Sequence, residues 1–392
     1  MSAHTPAFAA SAPPSPTFSR IIFWEPCVSP HKSAFISAVA QRFGASVTVY
    51  CVAHEGVPSS RQALGWSDSK ADWHRTVVAP SDAQINQLID EGGADCLHVF
   101  SGIRWFATLT RALARVKRDQ RPFALMSEPR DDAGWKGRLR YLQSLVTEAW
   151  VRRHVQFVLA IGRHGPPWFH SVGYAAERVF PFAYFLPAPV DAAPRKEAPN
   201  AQHKADLKLA YVGRFTASKG VQFMLPAIAE LQGPVSITLI GDGELRGQLQ
   251  QQAGDLQINA VFTGVLPIAE VQQRMQDFDI LLLPSISRDD GWGAVIGEAL
   301  MAGTAVVASD CAGASILLDQ PGNGCVVPPA DSAALGAAIR SLQNAGWLAQ
   351  HARTARLRWA RERLTAQAGA AYFEQIVRHR IVGAARPKEF FL

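Results

Sequence analysis

The chain is predicted to fold as two doubly wound α/β domains that face a cleft. Short, almost continuously apolar runs alternate with helical patterns from one end to the other, as expected for parallel sheets covered on both faces. The alternation is interrupted once, at 187–206 (PAPVDAAPRKEAPNAQHKAD), where proline, alanine and charge dominate, and then restarts. A chain of 392 residues is also too long for one ordinary core.

The elements follow in order. Residues 1–19 are rich in Ala, Pro and Ser. They lack a basic start followed by an apolar stretch, so they read as a disordered tail and not as a signal peptide. The first domain spans 20–186. Its strands are expected at Arg20–Trp24, Ser46–Cys51, Leu97–Phe100, Phe123–Ser127 and Val155–Ile161, with helices at His31–Phe43, Asp82–Glu91, Arg104–Arg118 and Gly137–Arg153. Residues 187–206 are the linker. The second domain, 207–370, has strands at Leu207–Val212, Val235–Ile240, Ala260–Thr263, Ile280–Leu283, Ala305–Ala308 and Gly324–Val327. A long helical stretch, Trp347–Arg380, is expected to pack on the second domain, and 371–392 to cross back to the first.

Composition narrows the function. The chain is 48% apolar and 18% charged, a soluble globular mix, and no apolar run reaches the roughly 18 residues that span a bilayer. Five cysteines without a C-x-x-C pair read as reduced thiols, as expected of a cytoplasmic protein. The histidines show no ligand spacing, which argues against a bound metal. The excess charge lies in the first half: 1–186 carries 20 basic and 14 acidic residues, and the remainder is balanced. Much of it sits in Arg111–Arg121 and Lys136–Arg153. These are either solvated helix faces or a patch that meets anionic lipid or an anionic acceptor. No binding module accompanies the charge, so nucleic acid is not an expected partner.

The chemistry concentrates in three glycine-marked strand ends of the second half. At 288–300, RDDGWGAVIGEAL, the carboxylates Asp290 and Glu298 bracket a glycine turn that enters an apolar helix, directly after the strand Ile280–Leu283. Backbone N–H groups at such a turn bind anions, and a nearby carboxylate accepts hydrogen bonds from hydroxyls. At 209–220, LAYVGRFTASKG, a strand ends at Gly213, and Arg214 and Lys219 stand on the loop before an expected helix, Val221–Leu231. Two cations beside a helix start suit a diphosphate, although the order of residues is not that of a Walker A loop. Between them, Val235–Ile240 runs into the turn at Gly241.

In this order the three blocks, V-G-R-x-x-x-x-K-G, I-G-D-G-E-L and D-G-W-G-x-x-x-x-E-A-x-x-x-G, resemble the donor-binding domain of retaining glycosyltransferases of the GT-B fold, family 4. The resemblance covers Leu207–Val327 well and the first domain weakly. It implies a nucleotide-diphosphate sugar as co-substrate, retention of configuration and no metal or other cofactor. It also implies a carbohydrate or lipid-linked acceptor, with a role in polysaccharide or glycolipid synthesis. Arg214 and Lys219 would hold the diphosphate, Glu298 would accept from the ribose hydroxyls, and the backbone at Gly291, Trp292 and Gly293 would approach the diphosphate or sugar. Asp290 stands where the family has Glu, against the donor sugar and among the catalytic candidates. The D-x-D at Asp277–Asp279 leads into a strand and reads as a helix end, not a metal site.

The first domain is then expected to bind the acceptor. Relatives have a glycine-rich loop after the first strand. This chain has Glu25–Ser33 instead, so Ser29, His31 or Lys32 is expected to replace that contact. Where relatives place a His after the strand Phe123–Ser127, this chain has Glu128, a candidate to orient the acceptor hydroxyl or take its proton. His98, at the end of another strand, is a further cleft candidate, or else a satisfied core residue. Two other functions stay open: a sugar-phosphate synthase or nucleotide-sugar epimerase on the same frame, and a catalytically silent nucleotide-sugar binder.

Overall fold

The computed structural model describes residues 18–62, 73–188, 206–288 and 291–392. The first domain holds seven strands: β1 (Arg20–Cys27), β2 (Thr48–Glu55), β3 (Arg75–Val78), β4 (Cys96–Phe100), β5 (Phe123–Ser127), β6 (Val158–Ile161) and β7 (Val179–Phe182). They form one parallel sheet in the order β3-β2-β1-β4-β5-β6-β7. The second holds β8 (Leu207–Val212), β9 (Val235–Ile240), β10 (Asn259–Gly264), β11 (Ile280–Leu283), β12 (Ala305–Ser309) and β13 (Gly324–Val327), parallel in the order β10-β9-β8-β11-β12-β13. Strand order reverses beside β1 in one sheet and beside β8 in the other. The crevice at the carboxyl ends of such strands is where ligands bind in doubly wound sheets.

The two strands absent from the sequence expectation, β3 and β7, are the edges of the first sheet. β3 is largely exposed, and β7 contains Pro181, which an edge tolerates because no neighbour needs its missing N–H. The remaining differences have local causes. The helix expected at Arg104–Arg118 starts at Ala107, because Trp105 holds a left-handed φ of 77°. The helix expected at Gly137–Arg153 is two, Gly134–Thr147 and Ala149–His154. They part at Glu148, whose buried carboxylate accepts from Arg104 Nη1 at 2.6 Å and from the Tyr174 hydroxyl at 2.7 Å.

The crossing back to the first domain also comes earlier than position 371. The helical tail breaks between Gln350–Arg363 and Ala366–Val382, where the Thr365 side chain caps the second helix at Ala368 N. At the break the Leu186 amide donates to Leu364 O (2.8 Å) and the Ala366 amide to Leu186 O (2.7 Å), so the two strands of chain joining the domains are bonded to each other. From there the last helix enters the first domain's core. The Phe373 ring lies 5.8 Å from Phe23, 6.0 Å from Phe35 and 6.1 Å from Phe157. The linker expected at 187–206 lies mostly outside the described residues.

Candidate active site

The cleft is floored on the second domain by three strand ends knitted together through the backbone. The Gly213 amide donates to Ile240 O (3.0 Å), Phe215 N to Asp242 O (2.8 Å) and Gly241 N to Gly264 O (2.9 Å). Arg214 is held from both sides: Phe215 is anchored in the core, and the Tyr211 hydroxyl donates to the Arg214 carbonyl at 2.8 Å. Its guanidinium is left exposed at the cleft.

The helix expected at Val221–Leu231 is replaced by 3₁₀ turns at Ala217–Lys219 and Val221–Phe223, followed by Met224–Ala229. Gly220 between the turns has φ 67°, and a Cβ there would lie 1.9 Å from the Pro284 carbonyl oxygen. Only glycine lets the loop close onto the end of β11, and that closure sets Lys219 against the cavity. Burial pulls the Lys219 ammonium down to about 8, with Arg214 and Arg61 adding to the effect. A cation so desolvated gains more than a surface lysine when an anion arrives beside it.

From β11 the chain passes through the glycine turn into the helix Ala294–Met301, whose amino end, at Gly293 and Ala294, lines the cavity. Glu298 lies on the same helix and faces the same space. Burial raises its carboxyl to about 7, opposed by a hydrogen bond with Gln272. Residue 298 is nonetheless only half-buried by surface area, because the cavity itself reaches it. Trp292 borders the cavity, and its side chain is buried and packs edge-on to Tyr184 at 6.3 Å, bracing the two domains. Asp290 lies outside the described residues.

The first domain closes the site from above. The Glu128 carboxylate, just past β5, lies so near Gly291 that a Cβ there would come within 2.8 Å of Oε2, and it accepts a hydrogen bond from the Tyr184 hydroxyl. The glycine turn is tied back as well. The Gly313 amide donates to Gly291 O (2.9 Å), Ala314 N to Trp292 O (2.7 Å) and Arg163 N to Gly313 O (2.9 Å). Arg163 of the first domain also reaches Asp319 (2.6 Å), and Arg288 of the second reaches Asp132 (2.6 Å). The cavity, about 570 Å³, is lined by Ser29, Lys32, Glu128, Arg214, Lys219, Gly241, Gly291, Trp292, Gly293 and Glu298. A smaller hollow of about 150 Å³, bordered by Arg104, Trp105, Arg130 and Trp168, shares Glu128 with it.

Two first-domain expectations change. Lys32 lines the cavity, but its ammonium is committed to Glu25 Oε2 at 2.6 Å and Ser101 Oγ at 2.7 Å, so it neutralises a buried carboxylate. His98 is not in the cleft. It is fully buried under the sheet, with Nδ1 accepting from Trp24 Nε1 at 3.2 Å, and burial pulls its pKa down to about 3. The side chain of His31 lies outside what the structure describes. The residues that sequence reasoning missed are Glu25 and Tyr184. Glu25 was visible as a lone carboxylate closing an apolar strand. Tyr184 was hidden in the apolar run after β7. The D-x-D stands at the amino end of β11, away from the cleft, where Lys208 N donates to Asp279 Oδ2 at 2.9 Å. Among the described residues no group of three or more His, Cys, Asp or Glu could hold a metal ion.

Comparison with known proteins bears on both halves of this site. Residues 206–345, within the second domain, match the family described as glycosyl transferases group 1. The amylovoran biosynthesis glycosyltransferase AmsK of Erwinia amylovora is 31% identical over 145 residues, 35% of this chain and 36% of that protein. A phosphatidyl-myo-inositol mannosyltransferase of Mycobacterium leprae is 34% identical over 136 residues, 34% of this chain and 36% of that protein. The chain thus spans about a third of the length of these curated relatives. Among solved structures, Anabaena HepE in complex with UDP superposes with a TM-score of 0.65 at 17% identity, covering 91% of this chain and 98% of that one. The fold is therefore GT-B throughout, two Rossmann-like domains about a cleft.

Proposed function

We propose that this protein is a glycosyltransferase that moves a hexosyl group from a nucleoside diphosphate sugar to an acceptor hydroxyl, with retention of configuration and without a metal. The observation that carries the reading is convergence. Arg214 and Lys219 come from one motif block and Glu298 from another, yet they meet in one cavity whose far wall sets Glu128 against the glycine turn. Breaking the anomeric C–O bond leaves negative charge on the departing diphosphate. Arg214, Lys219 and the amino end of the helix Ala294–Met301 are placed to stabilise it. Glu298 accepts from the ribose hydroxyls. The acceptor oxygen forms the new bond to the anomeric carbon, and Glu128 orients that hydroxyl and receives its proton.

The relatives' names, an amylovoran biosynthesis glycosyltransferase and a phosphatidyl-myo-inositol mannosyltransferase, support a role in polysaccharide or glycolipid synthesis with a carbohydrate or lipid-linked acceptor. UDP is the favoured nucleotide, because a protein of the same fold binds it. The test is a thermal-shift and calorimetry panel of UDP, GDP and ADP, followed by slow hydrolysis of the matching UDP-sugar. Selective binding with sugar release is expected. Binding with no release under any acceptor would reduce the protein to a silent binder, and no binding at all would refute the reading.

A further inference from the structure

The helix Gly134–Thr147 carries an apolar stripe on the side that faces away from the protein. Trp135 (68% exposed), Leu139 (56%), Leu142 (55%) and Val146 (77%) recur at helical spacing and fall within an arc of about 60°. The opposite face holds the buried Gly137 and Ser144. That inner face is pinned: Arg130 donates to Arg140 O at 3.1 Å, Ser144 Oγ at 3.0 Å and Gln143 Oε1 at 2.9 Å. The stripe therefore cannot roll inward without breaking the Arg130 bonds. A second exposed aromatic, Trp105 (86%), stands beside the same helix, because Arg104 next to it bonds Thr147 Oγ1 at 2.6 Å and Glu148.

We infer that this face docks the enzyme on an anionic lipid surface. Charge decides the occupant. The helix contains Lys136, Arg138 and Arg140 and no acidic residue, with Lys136 and Arg138 exposed on either flank of the stripe. An amphipathic helix with tryptophan and leucine on one line and cations beside it lies in the headgroup boundary, where each cation adds about 1 kcal/mol on anionic lipid. In a two-fold contact between copies of this helix, the same cations would face a helix that carries no carboxylate to pair with them. Docking here also places the small hollow between Trp105 and Arg130, which opens toward Glu128, at headgroup level. This rests on the reading of the first domain as the acceptor side and names a lipid-borne acceptor as the substrate class.

The experiment is co-sedimentation of the full chain with phosphatidylglycerol-containing vesicles and with pure phosphatidylcholine, at low and high salt. Salt-sensitive binding to the anionic vesicles alone is expected. Leu139→Gln with Leu142→Gln, and separately Lys136→Glu with Arg138→Glu, should each lower that binding by about tenfold or more. The UDP-induced thermal shift should persist in both, which shows that fold and donor cleft are intact. Absence of vesicle binding, equal binding by the variants, or a solution dimer that the Leu139→Gln/Leu142→Gln variant dissolves would overturn the inference. Vesicle binding without any UDP shift would refute the donor reading and leave the docking surface standing.

Discussion

Replacing Lys219 by methionine should push two measurements in opposite directions. The ammonium is held at about 8 against an ordinary 10.5, chiefly by burial, which corresponds to about 3 kcal/mol against its charged form at neutral pH. Between about pH 8 and 10.5 the unfolded chain keeps a proton that the folded chain has released, so stability rises with pH across that window. Below about 8 both states carry the proton and the full penalty is present. Lys219→Met removes it, so the ligand-free variant should melt higher than wild type at pH 7, by up to about 3 kcal/mol. UDP should meanwhile bind the variant more weakly. Loss of one charge-assisted hydrogen bond is about 1.5–3 kcal/mol, or about ten- to a hundredfold in affinity. Wild-type affinity should also fall as pH rises through about 8, and the variant's should not. Melting curves with and without UDP, and calorimetry on either side of pH 8, read all three. A ligand-free variant that melts lower than wild type, or one that binds UDP as tightly, would show that Lys219 is a structural cation and not the diphosphate's partner.

Glu128→Gln should keep UDP affinity but lower the transfer rate by about a hundredfold or more, since the amide cannot take the acceptor's proton; steady-state kinetics beside UDP calorimetry separate the two. Glu298 is raised to about 7, so between about pH 4.5 and 7 the folded chain holds a proton the unfolded chain has lost, and stability falls as pH rises through that window. Glu298→Gln should flatten this fall in a pH series of melting curves and weaken UDP binding by about tenfold through the lost ribose contacts. Gly291→Ala meets both a φ of 67° and the Glu128 carboxylate 2.8 Å from the new Cβ. It should depress turnover more than it depresses melting temperature, and restored activity in a Gly291→Ala, Glu128→Ala double variant would count against Glu128 as the acting group.

The sheets were legible because their strands are nearly continuous apolar runs, and such runs have few places to go except between two helical layers. Strands β8, β9, β11 and β13 stand where the periodicity put them. The edges were not legible: β3 is exposed and β7 contains a proline, so neither carries the pattern of a buried strand. The second-domain side of the cavity was legible for a related reason. Its loops are short, each is fixed to a strand end, and glycines at forced positions such as Gly220 keep a constant offset to the cations beside them.

By itself the sequence determined the layered α/β architecture and the strand ends at which Arg214, Lys219 and Glu298 stand, all through patterns local to one strand-turn-helix unit. What only tertiary structure decided was how groups far apart in the chain neutralise or constrain each other. Lys32 looked available until its ammonium was found on Glu25 and Ser101, and His98 looked like a cleft residue until Trp24 was found bonded to it in the core. Glu128 acquired a place only when Tyr184 and the glycine turn of the other domain closed around it. The exposed stripe on Gly134–Thr147 was likewise undecided, because an apolar face reads the same whether it is covered or bare. Periodicity records which side of an element is apolar, and the packing of distant elements determines what that side meets.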